Sequence, residues 1–180
     1  MIFAKFRSLL YRVLYASIRN LDQSPDRSRL LAMVYFFYGT LCDADVLQLV
    51  LGYRPGPGQL QPASLPGYRR KRARDRSYPV LLRAPGCQVD GLLFRPARTS
   101  DVARLTAYEG PEYVTRALPV RCGCAGATGR ARVFLPAGTA QGTRLAAGFD
   151  DWTLPRWQRR DKAAFLHSLQ DQGPMPCANR

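Results

Sequence analysis

Glu109 is the side chain whose placement best suggests chemistry. It follows a helical stretch, Asp101 to Tyr108, whose apolar positions are Val102 and Leu105. It lies seven residues after the first and four after the second, so on a helix the three share one face. That face should be the buried one, and a carboxylate turned toward a core is costly unless a partner or a reaction uses it. At a helix end the same side chain could instead reach solvent or an arginine. Glu112, beyond Gly110 and Pro111, reads as a loop residue. The second chemical feature is backbone. Tyr38-Gly39-Thr40-Leu41 joins the β-prone run Val34 to Tyr38 to a short helical segment. A glycine between strand and helix lets amide N–H groups converge, and the helix start adds positive potential, both of which favour an anion such as a carboxylate.

Other constellations fail on spacing. Cys122-Gly-Cys124 lacks the C-x2-C pattern of a zinc site, and His167 is the one histidine available to complete a set, so no metal is expected. A Cys42–His167 pair is conceivable, but one histidine on a late amphipathic helix is usually an ordinary helix residue. No P-loop and no dinucleotide-binding fingerprint occurs.

The elements that must position these groups follow in order. The strand Val34 to Tyr38 is expected to be buried. Asp43 can cap a helix whose Val46, Leu47, Val50 and Leu51 share a face, with Gly52 as its stop. The run Arg69 to Arg76 puts basic residues on both faces of any strand, which predicts a loop or a charge-protected edge rather than a nucleic-acid patch. Tyr78 to Leu82 and Val89 to Phe94 read as two strands turned at Pro85-Gly86. Thr99 or Ser100 caps the Glu109 helix, and Gly110-Pro111 ends it. Tyr113 to Val120 and Arg130 to Leu135 are further strands joined by a glycine-rich loop over 123–129. Trp152, Trp157, Phe165, Leu166 and Leu169 mark one final helix, started near Pro155. This order lacks regular βαβ alternation. It predicts an α+β fold, a small mixed β-barrel with flanking helices and a C-terminal helix.

Composition sets broader bounds. The 180 residues suit one domain, assigned here to 33–171, with a basic extension and linker over 1–32 and a loose tail over 172–180. A net charge of +14 permits nonspecific attraction to polyanions without fixing a fold. Five cysteines in irregular spacing suggest a reducing, cytoplasmic setting, and no apolar run reaches the length of a membrane span. Residues 1–21 contain no acid and carry Ile2, Phe3, Phe6, Leu9, Leu10 and Val13 at helical spacing, with Lys5, Arg7, Arg12 and Arg19 between. Three readings stand: a basic helix on a membrane surface or partner, a helix packed on this domain or on a second copy through residues 1–20, or a segment preceding a natural start at Met33.

Taken together, Phe37-Tyr38-Gly39-Thr40-Leu41, Leu65-Pro66-Gly67-Tyr68, Tyr78-Pro79, Val89-Asp90-Gly91 and Leu105 to Arg116 resemble the γ-glutamylcyclotransferase-like family. The threonine–leucine form of the turn resembles its γ-glutamylamine cyclotransferase-like branch. The resemblance implies a small mixed barrel that converts a γ-glutamyl amine or amide to 5-oxoproline and the free amine, with no metal or organic cofactor. It implies that the turn Tyr38, Gly39, Thr40 and Leu41 holds the γ-glutamyl moiety and that Glu109 is the acid/base. Tyr113 could orient substrate through its hydroxyl. Partial burial would raise the pKa of Glu109 toward that task. The rival expectations are a non-catalytic barrel that binds a small carboxylate, and a basic adaptor for nucleic acid or membrane surfaces.

Overall fold

Three consecutive aromatic residues, Tyr35–Phe37, form a strand (β1) that is buried on both sides. Successive side chains of a strand point to opposite faces, so β1 feeds two cores. Phe36 points into a barrel and packs with Leu65, Leu81, Val89, Leu93 and Val133. Tyr35 and Phe37 point outward, where Val46, Leu47, Leu51, Leu105, Trp152 and Trp157 cover them. A strand enclosed on both faces reads as a continuous apolar run, which is why this one is visible in the sequence.

The computed structural model describes residues 33–122, 127–139, 142–143 and 147–171. The expectations for 1–32, for the loop centre at 123–126 and for the tail at 172–180 lie outside the described residues. After β1, a short 3-10 turn (Thr40–Cys42) leads into helix α1 (Ala44–Leu51). The long strands β2 (Leu60–Ala73) and β3 (Pro79–Phe94) follow, then helix α2 (Thr99–Glu109). Strands β4 (Tyr113–Cys122) and β5 (Ala127–Pro136) form an antiparallel pair. A two-strand ribbon of β6 (Gly138–Thr139) and β7 (Gly142–Thr143) precedes β8 (Ala147–Asp151) and helices α3 (Leu154–Arg160) and α4 (Lys162–Asp171). The ring runs β3-β1-β5-β4-β2 and closes by β2 pairing with β3. Since β1 is antiparallel to β3 and parallel to β5, this is a closed five-stranded mixed barrel. Among the described residues four helices flank it, and the α+β expectation holds.

Four local expectations need correction. The two strands expected around Pro85-Gly86 are one. Pro66 faces Gln88 and Tyr68 faces Arg83, so residues 84–87 stand opposite Gly67 alone. Gly67 at φ +78° and Gly86 at φ +81° absorb the irregularity, and the turn signal marks a bulge in a continuing ladder. The basic run is no exposed edge, because its first residues lie within β2 between β3 and β8. Arg69 and Lys71 pair with Asp151, and Arg72 pairs with Asp161. Helix α2 begins at Thr99 with Arg98 as its cap residue, and the buried Asp101 carboxylate accepts the Ala97 and Arg98 amides at 2.9 and 3.0 Å. The final helix is two, α3 and α4, broken at Asp161, whose carboxylate takes the Arg72 guanidinium at 3.0 and 3.2 Å.

Helix α1 follows its sequence signals. Asp43 accepts the Asp45 and Val46 amides at 3.0 and 3.2 Å, and Gly52 stops the helix at φ +75°. Gly91 fixes the crossing of β3 over β1. A Cβ there would stand 2.0 Å from the Phe37 carbonyl oxygen and 2.7 Å from the Phe36 ring.

Candidate active site

The turn that follows β1 is held on several sides. The Tyr38 ring enters the barrel and its hydroxyl donates to the Phe134 carbonyl at 2.7 Å. Gly39 has φ −122°, so it is not there for a left-handed conformation. It is there for proximity, since a Cβ would meet the Pro79 ring at 3.0 and 3.2 Å. The first hydrogen bonds inside the 3-10 turn are donated by the Cys42 and Asp43 amides, to the Gly39 and Thr40 carbonyls, each at 3.0 Å. The earliest amides of a helical turn have no intrahelical acceptor and suit an anion. The Thr40 hydroxyl shares a 2.6 Å hydrogen bond with the Tyr108 hydroxyl. The Leu41 side chain packs in the outer core, so any contribution it makes to a site is through its backbone.

Glu109 is the last residue of α2, and Gly110 at φ +73° ends the helix by donating to the Thr106 carbonyl at 3.0 Å. Leu105 on the same face is fully buried and Glu109 is half-buried. Burial pushes the Tyr38 phenol well above its usual range, and the charges of Tyr113 and Glu109 push the same way. The Tyr113 phenol is raised too, by burial first and then by Glu109. Glu109, Tyr38 and Tyr113 are therefore electrostatic neighbours, with both phenols held protonated. Tyr113 starts β4 and makes a long 3.5 Å contact to the Pro79 carbonyl, on the residue that packs against Gly39. The fold thus brings together the turn, the carboxylate and the tyrosine singled out in the sequence.

Two further residues belong to this cluster. Arg70 donates to the Tyr38 carbonyl at 2.9 Å and lies 5.6 Å over the Trp152 ring, fixing the turn from the β2 side. Nothing in the run Arg69 to Arg72 distinguishes it from its neighbours, because its partners lie 32 residues before it and far after it. Tyr108 has a visible signal, adjacency to Glu109, but its bond to Thr40 is a tertiary contact.

The thiol alternatives do not form a nucleophilic site. Burial pushes the Cys42 thiol up to about 12, against the pull of Arg70 and of the Leu92 amide. Its Sγ lies 3.3 Å from the Phe37 carbonyl, as a neutral S–H donor would. His167 sits on the exposed side of α4, 2.8 Å from Asp171. Among the described residues, no three His, Cys, Asp or Glu side chains gather closely enough to hold a metal ion. No helix among them is long and apolar enough to cross a membrane.

Residues 35–154 match the family described as γ-glutamyl cyclotransferase, AIG2-like. The chain belongs to this family. Its similarity to AIG2-like protein A of Arabidopsis thaliana is 24% identity over 135 residues, 75% of this chain and 78% of that protein. The fold is shared with a solution structure of an Arabidopsis thaliana protein, at TM-score 0.55 and 16% identity, covering 77% of this chain and 80% of the other. It is shared also with a structure named γ-glutamyl cyclotransferase, at TM-score 0.54 and 14% identity, covering 82% and 92%. At these identities the likeness speaks for the barrel alone. The AIG2-like match spans the turn, Arg70, Glu109 and Tyr113.

Proposed function

We propose that this AIG2-like chain is a cyclotransferase that releases 5-oxoproline and a free amine from a γ-glutamyl amine or related amide. The observation that carries the reading is a half-buried carboxylate, Glu109, set among the Tyr38 and Tyr113 phenols beside a turn that begins with open amides. The turn over Tyr38, Gly39, Thr40 and Leu41 holds the α-carboxylate of the substrate through those amides. Tyr113 orients the folded-back γ-glutamyl chain by its hydroxyl.

The α-ammonium of the substrate is no nucleophile until it gives up a proton, and Glu109 accepts it. The free amine then attacks the γ-carbonyl carbon, forming the ring C–N bond. As the tetrahedral centre collapses, the original amide C–N bond breaks and the leaving amine takes protons back through Glu109. The nitrogen that enters the ring loses two protons in all and the leaving nitrogen gains two, so one carboxylate acting as a shuttle closes the balance. General acid–base help of this kind is worth about 10²- to 10⁴-fold. Holding both reacting groups of one molecule together adds proximity. The choice of γ-glutamyl amines rests on the resemblance of the threonine–leucine turn to the γ-glutamylamine cyclotransferase-like branch.

The test is a panel of γ-glutamyl amines, γ-glutamyl amino acids and glutathione, scored for 5-oxoproline, with Glu109→Gln beside the parent. Release from an amine by the parent and its loss in the variant are expected. A variant as fast as the parent removes Glu109 from the reaction.

A further inference from the structure

Beside α2 lies an open cavity of about 570 Å³, within the size range of small-molecule sites. Its floor is the outer face of β1 and β5, where the Tyr35 and Phe134 rings stack at 5.7 Å between centroids. Val102 of α2 forms an apolar wall, and Arg116, Arg132 and Thr115 supply the polar side. Arg132 is half-buried, its guanidinium acts on the Tyr35 phenol, and among the described residues its side chain makes a long 3.5 Å contact to the Thr115 hydroxyl. Among the described residues neither Arg116 nor Arg132 has a carboxylate within salt-bridge reach, although Arg54, Arg69, Lys71, Arg72 and Lys162 all do.

We infer that this cavity binds a small amphipathic monocarboxylate, its acid group on Arg132 and Arg116 and its apolar body against Met33, Val102 and Val114. A guanidinium presents a planar fork that a carboxylate matches with two hydrogen bonds. Met33, Val102 and Val114 offer an apolar surface, and among the described residues no acid lines the cavity. Charge also decides against the nearest rival occupant. Residues 1–32 lead directly into Met33 at the cavity rim and carry an apolar stripe, but they hold no acid before Asp22, and Lys5, Arg7 and Arg12 would meet two arginines. The cavity adjoins the proposed reaction centre through Gly110 and Tyr113, but neither Glu109 nor the turn from Tyr38 to Leu41 lines it.

The experiment is calorimetric titration of the full chain at low ionic strength with sodium decanoate below its micelle concentration, and with 1-decanol as the uncharged match. Saturable decanoate binding about tenfold tighter than decanol is expected from the charge-assisted bonds. That preference should vanish in Arg132→Gln and fall in Arg116→Gln, the second being an exposed position where folding is not at stake. Absence of saturable decanoate binding, equal affinity for decanol, or a preference that survives both substitutions overturns the inference. So does binding that emerges only after Phe3, Phe6, Leu9 and Leu10 are changed to Ser, since the chain's own first segment would then be the occupant. Glu109→Gln should bind decanoate as the parent does, so failure here and failure of the cyclotransferase reading are separable.

Discussion

Asp43 opens α1 and Glu109 closes α2, and the fold treats the two carboxylates in opposite ways. Asp43 is 1% exposed, yet each of its oxygens is committed. One caps the Asp45 and Val46 amides, and the other takes Gln158 and Lys162, both at 2.8 Å, from the C-terminal helices. Burial alone would raise its pKa, but the bonds from Lys162, Gln158 and Val46 outweigh it and hold the group below the usual carboxylate range. Such an acid is fixed as an anion and clamps α3 and α4 onto α1. Glu109 is only half-buried, and its charge falls on two phenols. A carboxylate gripped by amides and an ammonium acts as a clamp, and the proposed reaction assigns the proton transfers to Glu109 instead.

The contrast can be broken in both directions. The largest effect is expected from Glu109→Gln, a fall in 5-oxoproline release of about 10²- to 10⁴-fold, with the thermal midpoint little changed. Asp43→Ala should do the reverse. Loss of the cap and of the buried bonds costs about 1–3 kcal/mol of stability in denaturant titration, while turnover per folded molecule stays near that of the parent. A large activity loss in Asp43→Ala without destabilisation would erase the distinction. Arg70→Leu frees the Tyr38 carbonyl from its partner and should lower kcat/KM by about tenfold through displacement of the turn. Since it touches no proton in flight, the pH profile of the remaining activity should keep its shape. Lys162→Met should be the mildest, below about 1 kcal/mol, because its ammonium reaches solvent.

The clamp also fixes a pH window. Asp43 titrates lower when folded, so its contribution is complete above the unfolded carboxylate value of about 3.9 and is lost as pH falls through the depressed folded value. Lys162 titrates higher when folded, through its bonds to Asp43 and Asp45, so its share is complete below about 10.4 and is lost as pH rises through the raised value. Denaturant midpoints followed from pH 2 to 5 should slope upward in the parent and more shallowly in Asp43→Asn. Parallel slopes would mean that other carboxylates govern acid unfolding.

Legibility in the sequence tracked the range of the determining interactions. Helix α1 was readable residue by residue, because its cap, apolar face and left-handed stop act within ten positions. β1 was readable because burial on both faces leaves an unbroken apolar run. The face of Glu109 was readable from spacing, with the anchor at Leu105. Arg70 was not, since the partners that make it a support of the turn come from β1 and from Trp152. The basic run was misread for the same reason. Asp151 and Asp161 neutralise it from 82 and 89 positions away, and no local pattern announces a distant counter-ion. The Pro85-Gly86 signal was sound chemistry in the wrong frame, as a continuous pairing with β2 outweighed it.

Cys42 follows directly after the turn's Leu41, its thiol raised to about 12, while Cys87 is exposed on β3. An alkylating reagent at neutral pH should therefore reach the exposed Cys87 directly. It should modify Cys42, half-buried and with a raised thiol, far more slowly, and fastest in molecules whose turn has momentarily opened. The ratio of the two rates is a native-state measure of how often the turn lets go, obtained without denaturant. A ligand seated on the open amides should slow the Cys42 reaction and leave Cys87 as its own internal clock.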